Sequence, residues 1–112
     1  VARYREVLPA MAARRWGRFV WVGSAQAKAI DGGIDGGSDE LDAVVTLAMM
    51  GLHKVIAAEE GPSNLTANVV LHGGDATDDD VAAVVAYLCS GDATYVSGVT
   101  ITVDGGAGSA VF

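Results

Sequence analysis

The feature that most constrains this 112-residue chain is the regular alternation of helical and strand patterns along it. Three short runs rich in β-formers, at 18–22, 66–71 and 99–103, each follow a stretch of helical periodicity. This order predicts a parallel sheet with right-handed crossovers. Parallel strands are normally covered on both faces and lie within larger sheets. The sequence therefore predicts part of an α/β fold, forming one truncated domain over residues 1–112.

The first and third helices have recognisable boundaries in the sequence. The first is expected from Val1 to about Arg15, with Pro9 as a kink or boundary and Gly17 as its end. The third is expected to start near Thr77, a good N-cap, followed by three aspartates that complement the helix dipole. Gly91 is expected at its C′ position.

The second helix, expected to begin at an N-cap at Ser38 or Asp39, is apolar on most of its faces. One stripe contains Leu41, Val44, Val45, Ala48, Leu52, Val55 and Ile56, and Leu47, Met49 and Met50 fill much of the rest. A helix of this kind is buried on both sides. Because so small a chain can hardly cover both, we expect a partner surface.

Charge and cysteine usage exclude several classes of protein. Fourteen acidic residues against seven basic ones give a net charge of −7, which disfavours nucleic-acid binding. The cluster Arg14, Arg15 and Arg18 is too small to change this. The single cysteine, Cys89, excludes a disulfide scaffold, and its apolar helical setting favours a buried structural thiol over a reactive one.

No apolar run is expected to be long enough to span a membrane, and no signal peptide is recognisable. We therefore expect a cytoplasmic protein that does not bind membranes. The chain begins with Val1 rather than Met, which indicates a cut or processed polypeptide.

Residues 26–40 are expected to form a flexible acidic, Gly-rich loop. Part of it fits the count of a calcium-binding loop, with acidic residues at positions 1, 5, 9 and 12 and a glycine at the turn: Asp31, Asp35, Asp39, Asp42 and Gly36. The ligand expected at Gly33 is missing, and no helix precedes the loop. A metal-free acidic loop is the favoured interpretation, and no metal site is expected.

Three segments carry a family resemblance. They are "LPAMAARRWGRFVWVGS", "GLHKVIAAEEGPSNLTANVVLHGG" and "SGDATYVSGVTITVDGG". Together they resemble the C-terminal half of the short-chain dehydrogenase/reductase (SDR) family, over nearly the whole chain except Gln26–Glu40. The resemblance implies a partial Rossmann-like, doubly wound unit of about three parallel strands alternating with three helices.

The resemblance also implies where a cofactor would bind. Family members hold a nicotinamide dinucleotide on a Gly-rich turn after their first strand, and this chain starts about halfway through the family pattern. The glycines of Asp31–Gly37 match no G-x-G-x-x-G motif. No cofactor is therefore expected for this chain alone, and NAD(P) only if another chain supplies a nucleotide-binding half.

The family's catalytic positions are largely replaced. Ser24 matches the family serine, whereas Asp42 and Thr46 stand where the family has the tyrosine and lysine of its Y-x-x-x-K pair. His72 and Gly73 stand where the family usually has Pro-Gly. A carboxylate is a poor proton donor at neutral pH, and threonine cannot replace a cationic lysine. Hydride transfer by this chain alone is therefore excluded by the resemblance.

Two weaker candidate sites have simpler structural explanations. Asp42, Thr46 and His53 share a helical stripe, but Asp42 and His53 lie about 16 Å apart at the standard helical rise and cannot form a dyad. A plain polar edge is favoured there over a rebuilt small-molecule site, which would also involve Ser24. A structural Ser24 is favoured because no base is evident beside it.

Two functions of different classes remain. If 18–22 is an internal strand of the family sheet, its missing neighbour leaves an open edge, and the resemblance implies that the flanking helices form an oligomer interface. The first hypothesis is a non-catalytic subunit that binds itself, another SDR-like chain or its own N-terminal half. The second is the C-terminal piece of a divergent oxidoreductase, active only with a cofactor-binding half.

Overall fold

The computed structural model describes residues 2–25 and 38–108, without the side chains of 38–40. The elements in chain order are α1 (Ala2–Arg14), β1 (Gly17–Ser24), α2 (Ser38–Glu60), a 3₁₀ turn (Gly61–Ser63), β2 (Leu65–His72), α3 (Asp78–Cys89), a second 3₁₀ turn (Gly91–Ala93) and β3 (Thr100–Val103). The three strands form one parallel sheet in the order β1-β2-β3. The α/β, Rossmann-like prediction is confirmed.

The hydrophobic core is centred on the middle strand β2, because helices cover both faces of the sheet. Residues 65–71 are all buried. Alternate residues of a strand point to opposite faces: Leu65 and Ala67 pack with Phe19 against α1 and α2, whereas Val70 packs against α3. The sheet is therefore a thin middle layer, and the two helix layers position whatever side chains lie at the strand ends.

Helix α3 begins as the sequence predicts. The Thr77 hydroxyl accepts from the backbone N–H of Asp80 at 3.2 Å, and the Asp80 carboxylate accepts from the backbone N–H of Thr77 at 2.8 Å. This reciprocal capping box satisfies two donors that a helix start leaves unpaired. At its far end Ser90 is the C-cap, so Gly91 occupies the predicted C′ position, where it opens a 3₁₀ turn without a left-handed φ.

Helix α1 ends within one residue of its predicted boundary, but Gly17 is not what ends it. The helix continues through Pro9, which is exposed, and ends at Arg14, after which Arg15 adopts a left-handed conformation with φ 57°. Gly17 is the first residue of β1, and a Cβ there would lie 2.8 Å from the Met11 sulfur. The glycine therefore permits close contact between α1 and the strand rather than terminating the helix.

Two composition-based expectations are corrected. Cys89 is exposed, because Leu88 rather than its neighbour points into the core. Within the described part of the chain, Leu41–Ser63 is 23 residues long with a hydropathy of 1.5, long and apolar enough to cross a membrane by length and composition only. The expectation that no apolar run is long enough to span a membrane was therefore wrong. Core helices of soluble proteins can be equally long and apolar. Here the helix packs on the sheet.

Candidate functional site

The carboxyl ends of β1 and β2 lie side by side and bring together two residues that the sequence treats separately. Ser24 is the register partner of His72, so both residues lie at the same end and on the same face of the sheet. The His72 Nε2–H donates to the Ala76 carbonyl at 2.6 Å. In the neutral ring Nδ1 is then the acceptor nitrogen. A histidine therefore lies beside Ser24, which the chain spacing of 48 residues did not reveal.

The turn after His72 is held closely against the neighbouring segments. The backbone N–H of Gly73 donates to the Val103 carbonyl at 3.1 Å. A Cβ on Gly73 would lie 2.6 Å from the Cβ of Ala25, so the loop after β1 and the turn after β2 pack without room for a side chain. Gly73 therefore sets the separation between the two strand ends.

Asp42 and Thr46 lie one helical turn apart but in different environments. Asp42 is exposed, whereas Thr46 is only 2% exposed. A Cβ on Gly23 would lie 2.9 Å from the Thr46 hydroxyl oxygen, so α2 crosses β1 at this point and seals Thr46 against the strand. The interpretation of a plain polar edge is therefore wrong for Thr46, and equally for His53, which is 1% exposed.

His53 belongs to a buried pair that the sequence does not predict. Its Nδ1–H donates to the Met49 carbonyl at 2.7 Å, so its Nε2 accepts from the Tyr4 hydroxyl at 3.1 Å. The Tyr4 ring also packs 5.0 Å from that of Phe19. Burial lowers the pKa of His53, partly offset by the Met49 hydrogen bond, and raises the pKa of Tyr4. The pair is neutral and joins α1 to α2.

No signal in the sequence could have paired these two residues. Tyr4 fits the apolar helical pattern of α1, and His53 lies 49 positions away in an apolar helix. Only the packing of both helices on one face of the sheet brings them into contact.

Within the described residues, the turn between β2 and α3 is the one glycine-containing turn that joins a strand to a helix. It does not fit a dinucleotide. The α3 N-terminus is closed by its own capping box. Its first turn carries Asp78, Asp79 and Asp80, and the adjoining groove is also lined by Asp75 and Asp104. A pyrophosphate would meet like charges there instead of free N–H groups. This turn therefore lacks the free N–H groups and the charge that a dinucleotide's phosphates need.

A metal site finds no support in the described ranges. No group of three or more His, Cys, Asp or Glu side chains that could hold a metal ion occurs in residues 2–25 and 41–108. The calcium-loop candidates before Asp42 lie outside the described side chains, as does most of the predicted loop 26–40. Both therefore stay predictions.

The sheet order and the two helix layers define a partial Rossmann-like fold, and the similar proteins have this fold class. No family model matches the chain. The 3-oxoacyl-[acyl-carrier-protein] reductase MabA of Mycobacterium tuberculosis is 31% identical over 123 aligned positions, covering 88% of this chain and 48% of the reductase. The corresponding FabG reductase of Pseudomonas aeruginosa is 27% identical, covering 91% and 49%.

Solved structures give the same result. A short-chain dehydrogenase/reductase from Burkholderia thailandensis superposes with a TM-score of 0.80 at 26% identity, over 93% of this chain and 50% of that structure. A putative β-ketoacyl-ACP reductase superposes with a TM-score of 0.76 at 26% identity, over 93% and 53%. The homologues and structural neighbours are thus SDR-type reductases, and the chain spans about half the length of those it matches.

Proposed function

We propose that this chain is the C-terminal half of an SDR fold that has kept its association surfaces and lost its reductase chemistry. The observation that carries the proposal is the state of Thr46. At the position where the resemblance places the catalytic lysine, the side chain is 2% exposed and sealed against Gly23. It has neither a cationic group nor a surface to offer a nucleotide or a substrate. The same burial argues against a small-molecule site around Asp42, Thr46 and Ser24.

Two surfaces support association. Helix α2 buries one side on the sheet through Ala43, Thr46, His53 and Ile56. Its other side exposes a second apolar stripe of Leu41, Val44, Val45, Leu47 and Val55, each between 38% and 69% exposed. Exposed apolar surface of this kind marks a contact site.

The second surface is the free edge of β1. Within the described residues β1 pairs only with β2, which leaves its outer row of N–H and C=O groups without a neighbouring strand. Val22 on this edge is 46% exposed. The partner we propose is a second copy, another SDR-like chain or the chain's own N-terminal half. A cytoplasmic location stays a prediction from the sequence.

The oligomeric state tests this proposal. Sedimentation of the purified chain is expected to show a dimer or larger assembly, because α2 exposes apolar surface along its length. Val55→Glu, placed in the exposed stripe, is expected to weaken self-association at least tenfold. Tyr95→Glu is the control, since Tyr95 is fully exposed outside both surfaces. A monomer that binds neither a second copy nor an SDR-type N-terminal half would contradict the proposal.

A second function is favoured by the reductase activity of the relatives and by the neighbouring Ser24 and His72. In this alternative the chain completes an NAD(P)-dependent reductase of 3-oxoacyl thioesters when an N-terminal half is supplied. The test mixes the chain with the purified N-terminal half of the M. tuberculosis reductase and follows NADPH oxidation. Turnover that requires both pieces supports this alternative, and a bound but inactive pair supports the non-catalytic role.

A further inference from the structure

The charges of this acidic protein are unevenly distributed along the chain. Residues 1–18 contain five arginines and one glutamate, whereas the remaining 94 residues contain two lysines and thirteen acidic residues. The arginines of this segment lie on α1, in the turn after it and at the start of β1. The basic residues therefore lie on α1 and at the start of the edge strand β1, in a protein that is otherwise strongly negative.

Two of these arginines line an apolar groove beside that edge. The groove is formed by Tyr4 and Val7 of α1 and by Phe19 and Val20 of β1, together with Arg3 and Arg18. Arg3 is exposed and Arg18 is half-buried. An apolar floor with two cationic side chains suits a chain segment that is apolar in the middle and acidic at its ends.

Arg18 has unused hydrogen-bonding capacity. Its guanidinium donates to the Gly17 carbonyl at 3.0 Å and more weakly to Ser90 and Thr94 at 3.4 and 3.5 Å, and it stacks 4.6 Å from the Trp16 ring. Its Nε is buried without a partner. Among the side chains of residues 2–25 and 41–108, neither Arg3 nor Arg18 has an ion-pair partner. Because this Nε is closed to solvent, a carboxylate from outside the described chain would pair with the outer guanidinium nitrogens of Arg18 and with Arg3.

We propose that the free edge of β1 binds a partner strand whose apolar residues fill this groove and whose flanking carboxylates pair with Arg3 and Arg18. The inference rests on the proposed association function and specifies its partner. The strand supplies the missing row of backbone hydrogen bonds, and its acidic flanks select it. A strand with basic flanks would place like charges together and is excluded on that ground.

Two matched peptides test the inference. Each is fluorescein-labelled and has five alternating valines and threonines, flanked at each end by two glutamates in one peptide and two lysines in the other. Fluorescence anisotropy with the full chain is expected to show about five- to tenfold tighter binding of the glutamate peptide, the range that two partly exposed charge pairs supply. The preference is expected to shrink in 0.5 M NaCl because salt screens such pairs.

Two variants on one helix provide the control. Arg3→Glu is expected to remove most of the preference, whereas Arg5→Glu makes the same charge change on an exposed residue that does not line the groove. Equal binding of both peptides would overturn the acidic selectivity while leaving the free edge as a docking surface. Binding of neither peptide would overturn both. Equal effects of Arg3→Glu and Arg5→Glu would show that net charge, not this groove, selects the partner.

Discussion

The contact between Tyr4 and His53 allows one hydrogen bond to be removed with little change in packing. Tyr4→Phe keeps the ring that packs 5.0 Å from Phe19 and removes only the hydroxyl that donates to His53 Nε2. The acceptor is then left on a residue that is 1% exposed. An unsatisfied buried acceptor costs about 1–3 kcal/mol. Because Tyr4 itself is only half-buried, we expect about 1–2 kcal/mol.

Urea unfolding of wild type and variant measures this loss. With a slope of about 1–3 kcal/mol per M, a loss of that size lowers the midpoint by roughly 0.5–1 M at unchanged slope. Tyr95→Phe is the matched control, since that ring is fully exposed and should change the free energy of unfolding by less than about 0.5 kcal/mol. A Tyr4→Phe midpoint equal to wild type would refute the hydrogen-bonded pair.

The same pair predicts a dependence on pH. The folded pKa of His53 is lowered by burial, so its contribution to stability is fully present above the unfolded value of about 6.5. That contribution is lost as pH falls through the folded pKa. His53→Gln is expected to flatten this acid limb when the free energy of unfolding is measured against pH. An acid limb that is unchanged in His53→Gln would contradict the role of this residue.

Three further predictions follow from contacts. Gly23→Ala places a Cβ 2.2 Å from the Trp21 ring and 2.9 Å from the Thr46 hydroxyl. Urea unfolding should therefore show a free energy of unfolding lower by about 1–3 kcal/mol. In the control Gly51→Ala the new Cβ meets nothing within 4 Å, and the free energy of unfolding should rise by up to about 1 kcal/mol. Thr77→Ala removes the α3 capping box, and thermal unfolding should show a loss of about 1 kcal/mol; an unchanged midpoint would contradict it. Thr46→Lys buries an unpaired ammonium and should lower stability by several kcal/mol, while Thr46→Val should stay within about 1 kcal/mol; equal midpoints would show that the site is open.

The alternation of elements could be predicted because each element carries its own local signal. The Thr77 cap depends only on residues three positions apart. The three strands are runs of β-formers, and the structure extends the first two by one or two residues at their ends. Local patterns of this kind are sufficient for element order and for a parallel sheet.

The rest depended on contacts between elements. Glycine is a common helix terminator, but the role of Gly17 is set by Met11, which packs against it. Likewise, the helical stripe of Asp42, Thr46 and His53 indicated one polar edge. The crossing of α2 over β1 instead buries two of these three residues and leaves Asp42 exposed. Periodicity gives the face of a helix on which a residue lies, but not what covers that face.

The most direct test of the central claim is NADPH oxidation by the purified 112-residue chain with a 3-oxoacyl thioester, beside the full-length M. tuberculosis reductase as positive control. We predict no turnover above the rate without protein, because Thr46 supplies no cationic group and the turn after β2 supplies no phosphate site. Turnover by the chain alone, lost in Ser24→Ala, would contradict the conclusion that it has kept association and lost chemistry.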